Sequence, residues 1–271
     1  MPMYGLQIAF KDFKIRDGIL GSSFVGLKHF ARLFTHPDGR QVIINTLIIS
    51  INTLIWTFPA PVILSLLLNE LNGKVFKRTV QSILYLPHFI SWAVINGLMF
   101  GFFSITSGMV NKVLVSLGLP AVNFLSNPAT FRQLLYLTSI WKGAGWGTII
   151  YMAAISGIDP TLYEAAIIDG AGRIRRMLSI TLPMISFTIV TLLILNVGNV
   201  MSSNFDQIYN LISPAVYSVG QTIDVFVYEQ GINKMNYSFT TAIGLFQQVI
   251  NFMLLLATNK IVRMMGSEGF L

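Results

Sequence analysis

The chain has 271 residues and a formal net charge of +7, yet only 11% of its residues are charged while 54% are hydrophobic. Soluble proteins carry about 25% charged residues, so this composition excludes an ordinary soluble domain and points to a lipid bilayer. The basic excess does not read as nucleic-acid binding, because no Lys/Arg run is interleaved with aromatics for base stacking; there is no cysteine, and His29, His36 and His88 lack metal-ligand spacing, so neither a disulfide framework nor a metal site is expected.

Residues 1–10 are apolar but too few for a span of about 20 residues, and they lack the basic region and small-residue cleavage site of a signal peptide. In residues 24–34, Leu27, Phe30, Ala31 and Phe34 share one helical face, which predicts an interfacial helix. Between Arg40 and Glu70 lie 29 uncharged residues, enough to cross the bilayer with tilt, and Pro59 and Pro61 predict a kink there. Residues 69–78, with Lys74, Lys77 and Arg78, read as a short basic connector, and 79 to about 103 as the next span, kinked at Pro87. Glycine, proline and asparagine break up 104–130, which reads as a loop with one short helix. Further spans are expected at 132–157, interrupted by Lys142, at 184–204 and at 239–259, with a mixed loop at 205–238.

A polar island at 158–183 interrupts this pattern. Asp159 followed by Pro160 predicts a helix start with proline at the first position. Thr161 and Glu164 also fit the capping-box spacing. The helix carries Glu164, Ala165 and Ala166 to Asp169 and Gly170, where glycine can close it in the left-handed conformation. A second short helix is expected through Arg173, Arg175 and Arg176 toward Pro183. The outcome is a compact knob whose two alanines let another protein surface approach closely.

Glu164-Ala-Ala166, the three residues before Gly170, and Ile180-Thr-Leu-Pro183 resemble the EAA loop of ABC-importer permeases. The resemblance extends through residues 204–209, 213–217 and 222–228 to the tail from Asn259, and is nearest to oligosaccharide permeases of the LplB/MalF group. Residues 2–13 are similar to the end of the first transmembrane helix of that group, so the resemblance leads one to expect the earlier part of that span upstream. Ser213 and Gln221 depart from the group, in which those positions are often Asn and acidic, and this weakens any transfer of substrate identity.

The resemblance implies an all-α, polytopic protein of the bacterial cytoplasmic membrane, with five spans in this chain and six in the family. Residues 1–271 would form a single permease domain, with 158–183 as its cytoplasmic coupling-helix loop. Glu164, Ala165, Ala166, Asp169, Gly170, Arg173 and Pro183 are then the residues that meet an ATPase. The implied partners are a second, related permease in a heterodimer, two ATPase subunits that bind ATP and magnesium, an extracellular solute-binding protein, an oligosaccharide or related polar solute, and membrane lipid. The positive-inside rule tolerates this topology: connectors on the loop's side hold eight Lys/Arg against three opposite, but the first 40 residues carry six more on the outer side.

The residues offer no catalysis of their own. Gly73-Lys74 lacks both the preceding glycine and the following hydroxyl of a P-loop, so no cofactor site is expected in this chain. All eleven carboxylates fall in connectors, which argues against the intramembrane acid of a proton-coupled carrier. A sodium-coupled carrier or a channel, with 158–183 as a regulatory loop, is the alternative. At about 100° per residue, Asn196, Asn199, Ser203 and Gln207 form one polar stripe; Gly244, Gln247, Gln248 and Asn251 form a second; Thr138, Trp141, Gly145 and Thr148 form a third. Such stripes fit either a hydrated substrate path, with Trp141 and Trp146 stacking on sugar, or helix packing. Lys142 either meets an acidic solute or, more in keeping with its type, snorkels or pairs within the assembly.

Overall fold

The computed structural model describes residues 2–202 and 204–264. Among them there is no strand, only an isolated antiparallel bridge between Lys11 and Phe24. Two helices are long and apolar enough to cross a membrane, Gly39–Asn69 and Tyr237–Met264. Two broken pairs, Lys74–Phe89 with Trp92–Phe103 and Arg173–Met184 with Ser186–Val197, qualify if each is counted as one span. The helix Pro128–Ser156 has 29 residues, but Lys142 and the glycines around it dilute its apolar character.

Several boundaries differ from the expectations. In the first long helix the chain is interrupted only at Phe58, ahead of Pro59, which becomes the first residue of the next segment, where a missing N–H costs little. The basic connector is shorter than 69–78: Gly73, at φ +86°, makes the turn, and Lys74, Lys77 and Arg78 already lie in a helix. That helix does not continue as a kinked span to 103. Pro87 sits inside its last turns, it ends at Phe89, and Ile90 turns extended. The helix expected at 184–204 runs only over Ser186–Val197, because Gly198 and Asn199 lead into a turn. Near the N-terminus the helix Lys28–Thr35 buries His29 and Leu33, whereas Leu27, Ala31 and Phe34 of the expected apolar face are exposed. The loop at 104–130 holds one short helix, Met109–Ser116, as expected.

By its contacts the chain forms two compact units, the first from residues 1–51, 92–134 and 198–254, the second from 52–91, 135–197 and onward from 255. The core of the first gathers Leu33, Val42, Met201, Ile223, Phe226, Phe239 and Ile243. Its polar counterpart is Asn45, fully buried, whose amide donates to the carbonyls of Ser218 and Gln221 and accepts from Gln41 and from Arg132. Thr46 beside it accepts the Ile223 N–H at 2.8 Å and donates to Val42 O at 2.8 Å. These two residues fasten the 205–228 connector, a string of helices of seven residues or fewer, to a long helix. The second unit is centred on Val62, Leu66, Tyr151, Ile155, Ile158 and Ile185. Here Gly145 is packed so closely on the helix Lys74–Phe89 that a Cβ would overlap the carbonyl of Leu84.

Large apolar side chains such as Ile55, Trp56, Ile63, Phe89 and Phe252 are more than half exposed. A soluble monomer rarely shows so much apolar surface, whereas lipid or a partner subunit would cover it. Replacing Asn45 by Leu removes four hydrogen bonds, takes one acceptor from the Arg132 guanidinium, which keeps Val219 O, and leaves the buried Gln221 carbonyl unmet, while Ser218 O keeps Gln41. The expected loss is more than about 3 kcal/mol, read as a lower melting temperature of the detergent-purified protein, while Gln41→Leu, at the exposed edge of the same network, should cost less than half as much.

Candidate functional site

The knob at 158–183 is built by short-range rules. Asp159 is the N-cap of the helix Pro160–Ile168, its carboxylate accepting the Thr161 N–H at 2.9 Å. That bond holds the Asp159 carboxyl below its ordinary pKa, so the cap is charged at neutral pH. The Thr161/Glu164 capping box does not form, because Asp159 starts the helix two residues earlier and leaves Thr161 inside it. At the other end the Gly170 N–H meets Ile167 O at 3.0 Å and the Ala171 N–H meets Ala166 O at 2.8 Å, the paired bonds of a Schellman closure. Gly170 has φ +77°, as expected of it, with open space where a side chain would stand.

The chain then forms Arg173–Arg176, one π-helical turn at Met177–Thr181, and Leu182–Met184. Tyr163 reaches from the first helix to the buried Thr181 hydroxyl at 2.9 Å, and Ile158 and Ile185 enter the core of the second unit beneath. The knob is thus pinned at both ends and in its middle. Yet the helix Pro160–Ile168 buries none of its own residues: Glu164, Ala165 and Asp169 are exposed, as are Leu162, Ile167 and, at 86%, Ile168. A cleft of roughly 200 Å³ opens behind it between Ala166, Asp169, Ala171 and Arg175, Arg176 and Ser179. Arg173 and Pro183 are exposed as well.

The polar stripes fare differently. Asn196 is exposed near the end of its helix and bonds only back to Leu192 O among the interactions seen, Asn199 lies beyond that helix in a turn, and Gln207 belongs to a separate helix, Phe205–Leu211. They form no single helical face, because the helix ends at Val197; Ser203 lies outside the described residues. Gln247 and Asn251 do share a face of Tyr237–Met264, but both are buried. Asn251 accepts the Met201 N–H at 2.8 Å and donates to the Ser202 hydroxyl at 3.1 Å; Gln247 donates to Met201 O and to Asp224. Their amides hold the turn that follows the preceding helix, a packing role, while Gln248 is exposed. In the third stripe Thr138 and Thr148 are buried and Gly145 is a contact glycine, leaving Trp141 exposed.

Other groups come together that the sequence reading did not join. Trp146 stacks on His88, ring centroids 4.4 Å apart and planes 2° from parallel, with Phe89 edge-on at 5.6 Å. Lys142 donates to three carbonyls at the end of the helix Lys74–Phe89. In the first unit Phe205, Tyr209 and Tyr228 form an aromatic trio beside a cavity of about 550 Å³ that Asp224 and Tyr237 also line. The signals for Lys142 and Arg132 were there: they are the two cations between Lys112 and Asp159, a stretch without a carboxylate, where each needs a partner. Of the two departures from the family pattern, Gln221 donates to Glu229 at 2.8 Å, and the buried Ser213 hydroxyl finds no partner among the described residues.

Long apolar helices and broken helical pairs are those of a membrane-embedded helical protein, and an exposed helical knob stands apart from them. The chain belongs to the family described as the binding-protein-dependent transport system inner membrane component, which matches residues 39–265. It is 43% identical to the polygalacturonan/rhamnogalacturonan transport system permease protein YteP of Bacillus subtilis, over 99% of this chain and 84% of that protein. It is 42% identical to protein LplB of the same organism, over 99% and 85%. Among solved structures it superposes on a chain of a bacterial alginate ABC transporter, in complex with an alginate pentasaccharide-bound periplasmic protein, with a TM-score of 0.90 and 38% identity, covering 99% of this chain and 89% of that one.

The burial pattern separates path from packing. Gln247→Leu and Asn251→Leu each leave backbone groups of Met201 unmet and should destabilise the purified protein by about 2 kcal/mol, seen as lower thermal midpoint and yield. Asn196→Leu, at an exposed position, should leave both unchanged.

Proposed function

We propose that this chain is the permease subunit of an ATP-driven, binding-protein-dependent importer, working by alternating access in a bacterial cytoplasmic membrane. The observation that carries this reading is the knob: a helix capped at both ends, hydrogen-bonded to the core, and burying none of its own side chains. A helix rigid by construction and apolar on its open face is suited to transmit force from a second protein. Glu164 to Gly170 present that face, with Arg173 and Pro183 on the return limb, to one of two ATPase subunits that carry ATP and magnesium.

Five spans of this chain cross the membrane in this reading: the two long helices, the two broken pairs and Pro128–Ser156. Residues 1–271 act as one permease domain built from the two compact units, paired with a second, related permease. The solute is an oligosaccharide or a similar hydroxyl-rich molecule, delivered by an extracellular binding protein; the relatives named for polygalacturonan and alginate support that class. Trp141, Asn196 and Asn199 are the exposed candidates for the path, with Gln247 and Asn251 as supports.

Two substitutions test the knob. Gly170→Val forces a β-branched residue to φ +77° and should misdirect the closure, while Ala165→Asp sets a charge on the docking face. Both should give assembled permease in which solute-stimulated ATP hydrolysis falls at least tenfold. Full stimulation in both variants, measured on purified complexes with the binding protein present, would exclude a coupling role for the knob.

A further inference from the structure

Lys142 stands at the fifteenth position of the 29-residue helix Pro128–Ser156, amid uncharged residues. An ammonium in such surroundings needs compensation at close range. It finds this at the end of another helix of the same unit: Nζ donates to His88 O at 2.8 Å, to Pro87 O at 3.4 Å, and to Ile90 O. The last carbonyls of a helix have no partners within it and carry the negative end of its dipole. One lysine has three donors, and three acceptors take them.

Two neighbours on the same face, three and four residues on, act on the same stretch. Gly145 admits the backbone of Leu84, and Trp146 stacks flat on His88. The face 142–145–146 therefore holds residues 84–90 by charge, by close backbone approach and by ring stacking. The hold ends where the helix Lys74–Phe89 stops and the chain breaks at Ile90 and Ser91.

We propose that Lys142 is a positioning residue for transport: its ammonium clasps the carbonyl end of the helix Lys74–Phe89 and fixes the break that follows. With its donors spent on backbone, it does not serve as a counter-charge for an acidic solute. The transport part of this inference rests on the permease reading; the clasp itself does not.

The chain has no cysteine, so Ser91→Cys supplies a single reporter thiol at the break. In the importer purified with its own partners and reconstituted in phospholipid nanodiscs, its labelling rate by a water-soluble maleimide is compared with Lys, Met and Arg at position 142. Lys142→Met should raise the rate at least tenfold, and Lys142→Arg, which still donates to carbonyls, should stay within threefold. In vesicles, Lys142→Met should lower the maximal uptake rate at least tenfold with the half-saturating solute concentration unchanged within twofold, and Lys142→Arg should retain uptake. Unchanged labelling in Lys142→Met, or an Arg variant that behaves like the Met variant, overturns the clasp. Raised labelling with unaltered uptake overturns the positioning role. If the Met variant does not assemble, the Arg variant decides: assembly with the parental labelling rate supports the clasp, and failure to assemble overturns it. A chain that is no permease shows no uptake before any substitution, so that failure is told apart from failure of the clasp.

Discussion

In hydrocarbon every backbone N–H and C=O must find a partner within the protein, and an unmet group costs several kcal/mol. A chain of unbroken helices meets that demand automatically. This one does not: it interrupts its helices at Phe58, at Ile90 and Ser91, near Ile185 and after Val197. Each interruption frees backbone groups, and at the two where the chain departs furthest from a helix a polar side chain from elsewhere in the fold closes the gap. Lys142 takes the carbonyls at 87–90, and Asn251 with Gln247 holds Met201 by both its N–H and its C=O. At these two sites the polar side chains stand where the chain breaks.

The same logic organises the connector at 205–236. Its short helices could not persist alone, since isolated helices of this length are marginal in water. They are held from outside by Asn45, Thr46 and Arg132, and Asn96 adds a bond to Gln207 O at 3.3 Å. Irregular backbone near a membrane is tolerable where it is fastened at this density. The knob at 158–183 solves its own problem locally, with a cap before and a Schellman closure after, and so depends less on distant residues.

This difference explains what could be read from the amino-acid order. The knob was legible almost to the residue, because Asp-Pro at its start and Asp-Gly at its end are signals whose meaning lies within one helical turn. The long helix from residue 39 and the last helix were equally plain from the absence of charge. The amide stripes were misleading. Helical periodicity was extended through Gly198 and Asn199, where the helix had already ended, and it could not tell an amide facing a path from one bonded to Met201. Lys142 was the opposite case: its oddity was visible, but its partner lies more than fifty residues away and is backbone, which leaves no trace in composition. The capping box at Thr161 and Glu164 failed for a simpler reason, since a stronger cap stood two residues upstream.

Ile168, bare at the tip of a helix that buries nothing, has a consequence for the life of the protein as well as for its action. An apolar surface held rigidly toward water attracts any other such surface, so a copy that has not found its partners is a hazard to its neighbours and a ready target for removal. Unlike the lipid-facing side chains, which the membrane covers as soon as they are inserted, this face would under the proposed function be covered only by assembly. If the knob is the docking face proposed above, the feature through which the subunit is driven would also tie its abundance to that of the proteins that drive it.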